Sequence, residues 1–130
     1  MIHLKKFESY NLYKSIRHFD YRNGTDNPES YSKSEVDTIN SFVEELNSTK
    51  KYPKLYSGIS INPKTGKKVS HSITISYRWP GDRLNNFLLD IIKGEDYYHY
   101  LHDWNNFYKC DDLEGVKECI KEIIENKFKK

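Results

Sequence analysis

The chain has 130 residues, with 21 basic and 19 acidic side chains that leave a net charge of +2. A single domain of this length hides about two thirds of its unfolded surface, so neither a disulfide nor a structural metal is required. No apolar run approaches the roughly 18 residues of a membrane span, and the opening MIHLKKFESY lacks the apolar stretch and cleavage site of a signal peptide, so a cytoplasmic protein without a membrane partner is expected.

Hydrophobic residues make up 36% of the chain, but eleven Tyr, six Phe and two Trp supply apolar mass and predict an aromatic, Ile-rich core. In chain order, Leu4, Phe7, Tyr10, Tyr13, Ile16 and Phe19 recur every three residues and predict an N-terminal helix over 1–20. The stretch YRNGTDNPESYS, 21–32, has the Gly, Pro, Asn and Ser content of a loop. Ser32 with Glu35, or Ser34 with Asp37, offers a helix cap, and Val36, Ile39, Val43 and Leu46 then predict a helix over 33–47. KLYSGISI leads through NPKTGKK into VSHSITISYRW, a β-hairpin over 54–79 with Pro63 and Gly66 in its loop. On its second strand, alternation sends Val69, His71, Ile73, Ile75, Tyr77 and Trp79 to the core, and Ser70, Ser72, Thr74, Ser76 and Arg78 to the other face.

Pro80 and Gly81 end that strand, and Leu84, Phe87, Leu88, Ile91 and Ile92 before Gly94 predict a helix over 82–93. Aromatic strands over 96–110 turn back on themselves near Asp103 to Asn106. Carboxylates at Asp111 and Asp112, followed by Leu113, Val116, Ile120, Ile123 and Ile124, predict a C-terminal helix over 111–127. The expected fold is α+β, one domain over 1–130: an antiparallel sheet of three to four strands, built from two hairpins, packed by about four helices.

Charge is segregated along the chain. Between Leu46 and Gly81 no acid occurs, while Lys50, Lys51, Lys54, Lys64, Lys67, Lys68 and Arg78 contribute +7; from Asp82 to Gly115, eight acids stand against three bases, a net −5. A lysine-tipped hairpin facing phosphates gains affinity by counterion release, and Tyr52, Tyr56 and the outer strand face add stacking surface for unpaired bases. Lysines also keep an exposed strand edge soluble, which explains the same residues without a ligand. The acidic block carries Tyr97, Tyr98, Tyr100, Trp104, Phe107 and Tyr108, residue types common at protein interfaces and equally common in cores.

No Ser-His-Asp order, Gly-rich phosphate loop or HExxH motif is present, so no catalytic residue and no cofactor is expected. His99 and His102 fall on opposite faces of a strand, which argues against a metal site with Asp103. His71 reads as a structural histidine of the core, and Asp111 and Asp112 as helix-capping carboxylates. Cys110 and Cys119 lack metal-site spacing and read as reduced thiols; Cys110, at the start of the last helix, is where a lowered thiol pKa would arise.

The opening MIHLKKFESYN and the segment FYKCDDLEGVKECIKEII, together 29 residues, resemble parts of small bacteriophage proteins, with Asp112 and Leu113 in place of the Gln and Phe of that segment. The resemblance implies a phage or prophage origin. By analogy with the class of anti-CRISPR proteins it implies a non-enzymatic inhibitor that binds a bacterial defence nuclease or its guide RNA in the host cytoplasm. A general single-stranded nucleic-acid-binding accessory protein and a self-associating structural protein are the alternatives. The expected binding residues are Lys50, Lys51, Lys54, Tyr56, Lys64, Lys67, Lys68 and Arg78.

Overall fold

The computed structural model describes residues 10–13, 30–94, 98–103 and 106–129. Its elements in chain order are β1 (Tyr10–Tyr13), α1 (Lys33–Ser48), β2 (Lys54–Ile61), β3 (Lys68–Arg78), β4 (Asn86–Lys93), β5 (His99–His102), β6 (Phe107–Cys110) and α2 (Leu113–Lys127). The six strands form one antiparallel sheet in the order β1-β6-β5-β4-β3-β2. From β2 to β6 the chain is a meander, and β1 adds to its far edge with Tyr10 opposite Cys110. The α+β class holds, with, among the described residues, six strands and two helices instead of three to four strands and about four helices.

Both helices lie on one face of the sheet. Directly opposed residues in neighbouring strands share a face, which groups Leu55 with Tyr77, and Ile73 with Ile91 and Leu101. These pack with Ile39, Val43 and Leu46 of α1 and with Val116, Cys119, Ile120 and Ile124 of α2 in one buried cluster. Ile92, Tyr100 and Phe107 form a second buried cluster on the face opposite the two helices.

The helix starts are as the sequence predicts. Ser32 and Glu35 form a reciprocal capping box on α1 (3.2 and 2.9 Å), which removes two orphan amides. Asp112 caps α2 by accepting from the Gly115 amide at 2.8 Å. No helix among the described residues is long and apolar enough to cross a membrane.

The helix expected over 82–93 is a strand, β4, from Asn86. Its short apolar run satisfies both periodicities, and burial decides between them. As a central strand it sends Leu89 and Ile91 to the helices and Ile92 to the opposite cluster, while a register shift opposite Ile75/Ser76 brings Leu88 into the helix-side core beside Leu89. The expected helix signals serve turns instead: Asp82 Oδ2 accepts from the Trp79 amide at 3.0 Å, and the Gly94 amide donates to the Tyr98 carbonyl at 2.9 Å. Tyr10–Tyr13, expected within the N-terminal helix, are a strand, and the rest of 1–20 lies outside the described residues.

A bulge corrects the expected alternation of β3. Ile59 opposes Ile73, but Ser60 opposes Val69, so three β3 residues lack a partner across the step. Bulges of this kind re-aim side chains. Val69 therefore shares with Ser60 the face opposite the helices, and His71 lines a concavity there with Thr74 and Asp90 instead of entering the core. Burial lowers the His71 pKa, which keeps the ring neutral near pH 7.

Candidate nucleic-acid interface

Lys54 and Arg78 are directly opposed on β2 and β3, and Tyr56 lies one alternation further along the same face, opposite Ser76. Like charges in a cross-strand pair repel. Here the Tyr56 ring is shared between them: Lys54 Nζ stands 5.5 Å and Arg78 Cζ 5.9 Å from its centroid, within reach of the ring quadrupole. Neither cation forms an ion pair among the described residues, and Arg78 Nε, buried, has no hydrogen-bond partner. An approaching anion would offset the repulsion between the two cations.

Tyr56 and Arg78 open onto a groove of about 570 Å³ that also takes in Tyr52, Trp79 and Asp82. Trp79, expected in the core, is 48% exposed. It stands edge-on to Phe128 at 5.8 Å, and Phe128 also receives Tyr77 edge-on at 5.0 Å and Tyr52 at 6.3 Å. The end of α2 thus buttresses the aromatic rim, with Lys127 Nζ 5.5 Å from the Tyr77 ring. Burial raises the Tyr52 pKa, and Glu125 adds to that shift, so its phenol stays protonated.

A second concavity, of about 610 Å³, lies beside the first and shares Tyr52; Lys50, Lys51 and Lys129 line it with Glu125 and Phe128. Lys50 adopts φ 58°, the left-handed conformation that ends α1. Trp79, Phe128, Lys127 and Lys129 thus join the expected residues at this end of the hairpin. The periodicity of β3 concealed Trp79, and the other three are 49 or more positions beyond Arg78 in the chain.

Lys64, Lys67 and Lys68 stand elsewhere. They occupy the hairpin tip, where the Asn62 amide donates to the Lys67 carbonyl at 2.8 Å and Gly66 takes φ 72°. The length of β2, about 23 Å at 3.3 Å per residue, separates them from the Lys54 end. The seven basic residues of the acid-free segment therefore form two groups: one ringed by aromatics and, among the described residues, one without them.

No family model matches this chain, and no curated protein or solved structure matches it. The acidic and aromatic segment does not form one surface: Tyr100 and Phe107 are buried on the face opposite the helices and Tyr108 is half-buried on the helix side. There, burial and nearby acidic groups push the Tyr108 phenol up to about 12. Tyr97 and Trp104 lie outside the described residues. Asp82, Asp103 and Asp112 each accept backbone amides in turns or a cap, and Asp90 accepts from the Thr74 hydroxyl at 2.6 Å.

Cys110 and Cys119 are fully buried, and burial together with the adjoining Cys110 holds the Cys119 thiol well above its ordinary range. That environment disfavours the thiolate needed for reactivity.

Proposed function

We propose that this chain is a non-enzymatic binding protein that takes a single strand of nucleic acid across the Lys54–Tyr56–Arg78 face, and that it acts in the host cytoplasm as an inhibitor of a bacterial defence nuclease through the nuclease's guide RNA. The observation that carries the reading is the opposed Lys54–Arg78 pair with Tyr56 between them and Trp79 exposed on the same groove. Two cations without carboxylate partners among the described residues meet phosphates, and two ring systems offer the faces on which unpaired bases stack. Lys50, Lys51, Lys127 and Lys129 extend the positive field around that groove. The resemblance to small phage proteins is what directs the reading to a defence nuclease.

The same surface supports general single-strand binding as a second reading, because stacking and phosphate contacts carry little sequence information. The experiment is fluorescence anisotropy of labelled single-stranded RNA, single-stranded DNA and duplex DNA at low and near-physiological salt. Single strands bound ahead of duplex, with affinity lost in Tyr56→Ala, support the site. A purified effector bound at fixed stoichiometry near physiological salt separates the inhibitor from the general binder, whose affinity collapses with salt. Absence of binding to every nucleic acid at low salt sinks both.

A further inference from the structure

Strand β2 is the last strand at its end of the sheet. In an antiparallel strand the amide and carbonyl of one residue point to the same side, and successive residues alternate sides. Two hydrogen bonds set the phase here. Leu55 points outward, because its amide donates to Asn47 Oδ1 at 2.8 Å and its carbonyl accepts from Asn47 Nδ2 at 2.9 Å. Asn62 points inward, its amide donating to the Lys67 carbonyl across the hairpin. Both fix the same parity, so Ser57, Ile59 and Ile61 turn their amides and carbonyls away from β3. Among the described residues nothing pairs with that edge, since β2 ends the sheet.

Asn47 is informative in itself. Its side-chain amide pairs with Leu55 as the peptide group of a neighbouring strand would, so the edge accepts an amide at that spacing and is closed there by α1. Beyond Asn47 the Ser57 hydroxyl donates to Asn40 Oδ1 of α1, while among the described residues no main-chain group pairs with the outward amides of Ser57, Ile59 and Ile61, and the edge ends beside Lys64, Lys67 and Lys68, all exposed. Ile61, 61% exposed and directly opposite Lys68, offers an apolar contact at the same end.

We propose that this edge docks an extended, acidic segment of a partner protein by strand addition, its main chain pairing with Ser57, Ile59 and Ile61 and its carboxylates meeting the tip lysines. Main-chain hydrogen bonds supply the affinity in this mode, and alternate side chains the specificity. A second copy of this chain is the weaker occupant. Antiparallel pairing centred on Ile59 would set Lys54 opposite Lys64 of the other copy and bring two acid-free lysine hairpins together, and like charges in that arrangement are destabilising. Among the described residues the tip also lacks the aromatic rings that a nucleic-acid strand would use at the other end.

The test uses the full chain and a fluorescein-labelled eight-residue peptide of alternating valine and glutamate. Control peptides carry lysine for glutamate, or N-methyl groups at alternate residues. The expected results are binding of the glutamate peptide, about tenfold weaker on N-methylation, and slowed amide exchange at Ser57, Ile59 and Ile61. Ile61→Pro removes an outward donor the sheet does not use, and should weaken the peptide while leaving RNA anisotropy unchanged; Tyr56→Ala should do the reverse. Reversal of Lys64, Lys67 and Lys68 to Glu should cost at least about tenfold in peptide affinity. Indifference to N-methylation and to Ile61→Pro would reduce the contact to ion pairing and overturn the proposal. So would displacement of the peptide by RNA from the same amides, or protection of those amides by dimerisation seen in light scattering without peptide.

Discussion

Lys54 and Arg78 occupy one cross-strand pair, two positive charges directly opposed with the Tyr56 ring 5.5 and 5.9 Å from them. A sheet selected for stability alone would place a carboxylate at one of these positions. Lys54→Glu should therefore raise the melting temperature by about 1–3 °C while weakening binding of single-stranded RNA. Thermal denaturation and anisotropy on one preparation measure both, and a fall in melting temperature would show that the pair is not repulsive.

Tyr56 is the ring on which stacking depends. Tyr56→Ala should cost about 1–3 kcal/mol of single-strand affinity, and Tyr56→Phe should restore most of it, because the π-face and not the hydroxyl does the binding. Equal losses in the two variants would point to the hydroxyl instead.

The two lysine groups should separate in salt titrations. Each phosphate contact on a single strand contributes about −0.7 to the slope of log affinity against log salt, so Lys54→Gln with Arg78→Gln should flatten that slope by about 1.4. Reversing Lys64, Lys67 and Lys68 should leave it near the parent value, since those residues lie a strand's length away. A larger effect at the tip would move the strand's path along the hairpin.

Glu35 makes the fold acid-sensitive. Burial alone would raise its carboxyl, but Lys93, hydrogen-bonded at 2.8 and 2.9 Å, and the Ser32 cap outweigh burial and lower it from 4.5. A depressed folded-state pKa contributes stability above the ordinary carboxylate value, and that stability is lost as pH falls through the folded value. Stability should thus decline below about pH 4.5, and Glu35→Gln should be less stable at pH 7 with a flatter acid limb in thermal melts. An unchanged acid limb would assign the sensitivity to other carboxylates.

Asn47 closes one end of the β2 edge. Asn47→Ala should cost about 1–3 kcal/mol by leaving the Leu55 amide and carbonyl without protein partners, and should speed exchange of the Leu55 amide. It also lengthens the stretch of edge whose main chain is unpaired among the described residues, so light scattering should show more self-association at low salt than for the parent. Parent-like Leu55 exchange would mean that the side-chain bridge is not formed.

Where local chemistry is decisive, the residues themselves determined the outcome: Ser32 with Glu35 starts α1, Asp112 starts α2, and Gly66 with Pro63 turns the β2–β3 hairpin. The charge segregation that points to binding is equally a property of the sequence. Tertiary structure decided what periodicity leaves open. Residues 86–93 are apolar on both the helical and the extended template, and they became a strand because the centre of a sheet buries both faces at once. The bulge opposite Ile59 and Ser60 overrode the alternation that assigned Val69 and His71 to the core, because one slipped pairing inverts every side chain beyond it. Packing beside Phe128 left Trp79 exposed and brought the end of α2 to the hairpin. The same geometry divided seven lysines and arginines, contiguous in charge along the chain, into two groups, because a hairpin places the middle of its sequence at one end and its two termini at the other.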